Sequence, residues 1–196
     1  MSSKLRRAAT PFNLSCGCGQ TEWRIAQGAH GSRVVCYCAD CQTFARHLAP
    51  QIPVLDPDGG THIFQTLPTH VQFTKGAENL AALRLGPKGI LRWYATCCDT
   101  PIANTLPKSA IPFVGLILRP GTSDLGKIVA RAFTDAARRP IKQQGMGKAA
   151  LGVIARALSG RIAGAHRKGP FFSADGVPVA IPRVLTADER ADARPR

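Results

Sequence analysis

Arg33-Val34-Val35-Cys36-Tyr37-Cys38-Ala39-Asp40-Cys41 runs from a β-branched segment straight into three closely spaced cysteines. On extended backbone, residues i and i+2 project to one side, so Cys36 and Cys38 share a face of their strand. A turn after Cys38 swings Cys41 round as a third sulfur. The same i, i+2 relation holds for Cys16 and Cys18, where Gly17 and Gly19 remove bulk so that the backbone can bend closely round an ion. Thiolate sets of this kind favour zinc, with tetrahedral geometry and zinc–sulfur bonds of about 2.3 Å.

The other two of the seven cysteines are Cys97 and Cys98, and they are the remaining source of partners for Cys16 and Cys18. The cysteines therefore divide into two metal sites, giving one or two zinc ions per chain. Cys36, Cys38 and Cys41 form a local set with an open fourth position, the arrangement that admits water or substrate. The other site would close a loop of roughly eighty residues, where a crosslink constrains the unfolded chain strongly. Neighbouring residues on a strand face opposite ways, so joint use of Cys97 and Cys98 requires a local turn or bulge. Without one, that site holds three cysteines and another ligand, or is altered or empty.

Outward from the cysteines, residues 11–120 read as short strands. These are Thr21–Ile25, Arg33–Cys36, His62–Gln65, His70–Phe73, Leu91–Tyr94 and Phe113–Leu118, separated by Pro53, Pro57, Asp58-Gly59-Gly60, Pro68 and Gly86-Pro87. The fold class expected is mainly β with antiparallel pairing. Residues 1–10 are expected to be a tail. Beyond Pro120-Gly121, residues 121–165 read as a basic helical extension, and 166–196 as an arm and a frayed tail. One helix is expected from Thr122 or Ser123 to about Arg139, with Ile128, Val129, Ala132, Phe133 and Ala136 on one face. A second covers roughly Gly147 to Ala163 with Leu151, Ile154, Leu158 and Ile162 in register, a face that ordinarily packs on its own domain.

With 44% hydrophobic and 19% charged residues, the 196-residue chain is neither disordered nor fibrous. It has no apolar run long enough to span a membrane and no signal-like apolar segment after Arg6-Arg7, so a cytoplasmic, reducing setting is expected. There, clustered cysteines serve metals or redox chemistry rather than structural disulfides, and an odd count fits no fully paired framework. The net charge is +14, and ten Lys/Arg against Asp135 alone lie between Lys127 and Lys168. That excess attracts nucleic acid or an anionic membrane surface. No interleaved aromatic and basic stripe accompanies it.

Cys16-Gly17-Cys18-Gly19, Cys36-Tyr37-Cys38-Ala39-Asp40-Cys41-Gln42 and Cys98-Asp99-Thr100-Pro101 together resemble the motifs of the glutathione-dependent formaldehyde-activating enzymes and their centromere-protein-V-like relatives. The resemblance covers roughly Pro11 to Arg119. It implies a zinc-binding β-tent, with Cys16 and Cys18 joining the late cysteines at a structural zinc and Cys36, Cys38 and Cys41 holding a catalytic one. It also implies a carbon–sulfur lyase acting on a thiol–aldehyde adduct such as S-hydroxymethylglutathione. Ala95 stands where the family has its first late cysteine, Tyr37 where many members have histidine, and Asp99 where they have glycine. Arg33 and Arg46, near the three-cysteine set, are candidate partners for glutathione carboxylates. His47 could orient substrate or supply a ligand. Two rival readings are a non-catalytic zinc scaffold whose basic extension binds an anionic partner, and a thiol redox protein.

Overall fold

Alternation along the strands sends neighbouring side chains to opposite faces of one large sheet. The computed structural model describes residues 10–195, and its elements in chain order are β1 (Phe12–Ser15), β2 (Glu22–Ile25), β3 (Ser32–Cys36), α1 (Ala39–Leu48), β4 (Thr61–Thr66), β5 (Val71–Lys75), β6 (Leu80–Arg84) and β7 (Leu91–Ala95). There follow β8 (Thr100–Thr105), β9 (Val114–Ile117), β10 (Ile128–Ala132), α2 (Met146–Ile162), β11 (Arg183–Val184) and α3 (Ala187–Ala193). The eight-stranded sheet has the order β10-β3-β4-β9-β8-β7-β6-β11, and a three-stranded sheet has the order β1-β2-β5. Phe64, Leu80, Ala82, Leu91, Trp93 and Leu116 share a core with Trp23, Ile25 and Val71 of the small sheet. Their sequence neighbours Leu83 and Ile117 instead pack with Phe44, Ala45 and Leu48 of α1. A one-residue slip would exchange these two sets, so the register is fixed by the need to bury both faces differently.

The expected strands all form, although the chain is mainly rather than purely antiparallel. β10 runs parallel to β3 and β11 parallel to β6. Phe171, with no exposed surface, seals the core between the sheets, its ring 5.2 Å from that of Trp93. The segment after residue 166 is thus part of the main core rather than only an arm.

The helix expected from Thr122 to Arg139 does not form. Gly121 and Gly126 adopt positive φ, and Ile128–Ala132 pairs along the edge of β3 with Ala130 and Ala132 buried. Covering an open sheet edge outweighs a helical periodicity that this β-branched stretch fits only by coincidence. The frayed end expected after Thr186 is also corrected. α3 starts with a capping box, Thr186 accepting from the Glu189 N–H and Glu189 from the Thr186 N–H. It packs on α1, with Arg190 3.8 Å from Asp40 and Arg46 donating to the Arg194 carbonyl.

The second expected helix forms as α2, but with its faces reversed. Its buried residues are Ala149, Arg156, Ala157 and Gly160, and the Leu151–Ile162 stripe points outward. Small residues let the helix backbone settle close to its neighbours. A Cβ at Gly160 would come within 2.7 Å of Leu67, and one at Gly145, where φ is +75°, within 2.0 Å of the Val129 carbonyl oxygen. Gly145→Ala is therefore expected to destabilise the fold by about 2 kcal/mol or more. Gly147→Ala, whose Cβ would meet nothing within 4 Å, is expected to stabilise it by up to about 1 kcal/mol. Denaturant midpoints of the two variants check the contrast.

Candidate metal centres

Two groups of sulfurs converge, and among the described residues no histidine or carboxylate joins either group. The first is Cys16, Cys18, Cys97 and Cys98, with Cys16 Sγ 3.5 Å from Cys18 Sγ and 3.6 Å from Cys97 Sγ, and Cys97 Sγ 3.9 Å from Cys98 Sγ. The second is Cys36, Cys38 and Cys41, with Cys36 Sγ 3.4 Å from Cys38 Sγ and 3.7 Å from Cys41 Sγ. A tetrahedral centre with metal–sulfur arms of about 2.3 Å has sulfur–sulfur edges of about 3.8 Å. These five edges lie close to that figure, the sulfurs of each group all lie within 4.8 Å of one another, and all seven cysteines are free thiols.

A turn resolves the adjacency of Cys97 and Cys98. Residues 96–99 form the turn between β7 and β8, so the alternation of a strand does not apply to them. Asp99 takes φ +52° there, a left-handed conformation that aspartate tolerates better than most residues. Hydroxyls and amides brace the sulfurs. Thr100 Oγ1 lies 3.1 Å from Cys98 Sγ and accepts from the Gly17 N–H, while the Thr21 N–H donates to Cys16 Sγ at 3.3 Å. Thr21 Oγ1, itself held by Asn79, lies 3.5 Å from Cys97 Sγ. Burial pushes the Cys16 thiol up, but the Thr21 N–H and the neighbouring thiols outweigh it and bring it down to about 6. Burial leads in pushing Cys97 the other way, to about 12. Cys18 is exposed and Cys97 and Cys98 half-buried, so this group sits close to solvent.

The three-cysteine group is built by a strand running into a helix. Cys36 ends β3, and Cys38 caps α1, its sulfur accepting from the Cys41 N–H at 3.4 Å. The first turn of α1 thereby carries Cys41 back toward Cys36. Ala149 at the start of α2, with Val34, Ile63 and Ala130, covers the group. Cys36 and Cys41 are buried and Cys38 is half-buried. Contacts with Cys36 and Cys38, and then the Arg92 guanidinium, hold the Cys41 thiol well below its ordinary range against the burial that raises it. Cys36 is pushed up, first by its contact with Cys38.

Residues 6–181 match the model of a family of unknown function, DUF6151. The chain belongs to that family. The matched span of this DUF6151 member takes in both cysteine groups, Arg92 and α2. No curated protein matches the chain. Among solved structures, a crystal structure of a Rhodobacter sphaeroides protein matches at 18% identity with a TM-score of 0.41, covering 62% of this chain and 99% of that one. So loose a likeness places neither fold nor function.

Arg92 is the cation that the DUF6151 chain sets against its three thiols. It is buried on β7, its Nη1 3.9 Å from Cys41 Sγ and 3.3 Å from Asn104 Oδ1, with the guanidinium over the Phe44 ring. None of the ion pairs among the described residues involves it. Its signal in the sequence is an arginine inside the apolar run Leu91–Tyr94. The other candidates bond to groups other than the cysteines. Arg33 donates to the Ser123 and Gly126 carbonyls, Arg46 to that of Arg194, and His47 contacts Arg183. Tyr37 is buried and directs its hydroxyl to Asp56, which also meets His62 at 3.3 Å.

Proposed function

We propose that both cysteine groups hold zinc and that the three-cysteine group is the reactive centre of a carbon–sulfur lyase acting on a thiol–aldehyde adduct such as S-hydroxymethylglutathione. The observation that carries this reading is the pairing of three convergent sulfurs, without a fourth protein ligand in their set, with one buried guanidinium. Zinc bound to three thiolates is a weak Lewis acid that suits binding a substrate thiol and lowering its pKa. The chain's own residues do the rest. Cys38 and α1 fix the angle at which the sulfurs meet, and Arg92 sets a permanent positive charge against the thiolates, whose charge would otherwise oppose the approach of an anionic thiol. Phe44, Val34 and Ile63 exclude water from the buried side. The four-cysteine group has no open position and suits a structural role. The resemblance to the formaldehyde-activating enzymes, carried by the cysteine spacing, supplies the choice of adduct.

The experiment combines elemental analysis with a rate measurement. Wild type is expected to hold two zinc ions per chain and to accelerate glutathione-dependent formation or breakdown of the adduct, followed by NMR. Cys36→Ser should keep one ion and lose the acceleration. Zinc-loaded wild type with no effect on the adduct would defeat the catalytic reading while leaving metal binding intact.

A further inference from the structure

α2 is turned inside out. Its large aliphatic residues Leu151, Ile154, Leu158 and Ile162 are between 55% and 90% exposed, while its one arginine outside the last turn, Arg156, is buried and donates to Ser32 Oγ. At 3.6 residues per turn the four aliphatics fall within an arc of about 80°. Lys148 flanks that arc on one side and Arg161 on the other, both exposed. The inward face is already filled, with Gly160 against Leu67 and Pro112, so the stripe cannot be absorbed by rolling the helix. Arg161 donates to the Ala110 carbonyl, which sets Ile111, 56% exposed, beside the C-terminal end of the stripe.

Charge selects the occupant. No aspartate or glutamate occurs between Asp135 and Asp175, and beyond the helix ends Lys142, Arg167 and Lys168 are also exposed. A second copy docked on this face would add its own Lys148 and Arg161 to the rim with no aspartate or glutamate on α2 to pair with them. Nucleic acid would lay phosphates over aliphatic side chains, with no aromatic side chain on α2 to stack on bases. A bilayer rich in anionic lipid matches both parts, because aliphatic side chains enter the acyl boundary while flanking lysines and arginines stay among the headgroups.

We propose that the outward face of α2 docks the protein on an anionic membrane surface, through Leu151, Ile154, Leu158 and Ile162 below and Lys148 and Arg161 at the rim. This surface goes beyond the metal chemistry and does not depend on it. No helix among the described residues is long and apolar enough to cross a membrane, and the attachment is interfacial.

The test is co-sedimentation of the full-length, metal-loaded protein with vesicles of phosphatidylcholine, alone or with about one third phosphatidylserine. Wild type is expected to bind the anionic vesicles, to ignore the neutral ones, and to be released by about 0.5 M salt. I154Q/L158Q should lower the partition coefficient about tenfold or more. K142Q/K148Q should lower it several-fold. All four positions are exposed, so thermal midpoint and metal content should stay at wild-type values in both variants, which separates lost docking from lost folding. Failure of wild type to bind, or binding that I154Q/L158Q leaves unchanged, overturns the proposal. So does a wild-type dimer in sedimentation that I154Q/L158Q converts to monomer, since the stripe would then join two copies. Binding to duplex DNA without binding to vesicles overturns it as well.

Discussion

Cys18→Ser is expected to release one metal ion per chain and to lower the melting temperature by about 10 °C, nearly as much as Cys16→Ser. The two positions differ in a useful way. Cys16 is 1% exposed and packed in the main core, whereas Cys18 is exposed. Removing a sulfur from Cys16 therefore costs packing as well as a ligand, but removing it from Cys18 costs little except the ligand. Binding free energies at structural zinc sites reach about 10–16 kcal/mol in peptides. Losing even about 4 kcal/mol of that coupling lowers the midpoint by roughly 8–16 °C in a chain of this size. Calorimetry with and without a strong chelator is the measurement. If Cys18→Ser melts like wild type and chelator moves neither, the four sulfurs are no metal clamp.

Arg92→Met should act in opposite directions on the metal-free and metal-loaded protein. A guanidinium buried without a carboxylate is costly to desolvate, so a hydrophobic side chain of similar length should leave the metal-free fold as stable or up to about 3 kcal/mol more stable. With metal present, the three thiolates lose their countercharge. Affinity at that group should fall about 10–100-fold, the usual effect of removing a partner of a metal ligand. The four-cysteine group should be unaffected. Cobalt titration, read through its thiolate charge-transfer absorption and against a chelator of known affinity, separates the two groups. Arg92→Lys keeps the charge and should recover most of the affinity. Equal affinity in Arg92→Met and wild type would remove Arg92 from the centre.

The three-cysteine group was legible because its spacing is local: Cys36, Cys38 and Cys41 lie within six residues, and a strand followed by one turn brings them together. Cys16 and Cys18 were legible as a pair. Their joining with both late cysteines depended on the turn at residues 96–99, which spacing alone does not reveal. The 122–139 region misled because Ile128, Val129, Ala132 and Phe133 satisfy a helical period, yet the free edge of β3 decided their conformation. For α2 the period was right and the side wrong. Periodicity identifies a stripe, but whether it faces inward depends on how closely the backbone must approach its neighbours, and Gly152 and Gly160 were the residues that said so. Two further signals are local in the sequence: Thr186-Ala187-Asp188-Glu189, a capping box, and the single charge in Leu91–Tyr94.

The separation of 81 positions between Cys16 and Cys97 also imposes an order of events on synthesis. At about 5–20 residues per second, Cys16 and Cys18 leave the ribosome roughly 4–16 s before their partners. During that interval they are two reactive thiols on a nascent chain, open to oxidation or to a borrowed ion, while Cys36, Cys38 and Cys41 emerge together and can load at once. If both groups hold zinc as proposed, the local group fills early and the distant one last, and translation speed and free-metal supply should govern the yield of correctly assembled protein.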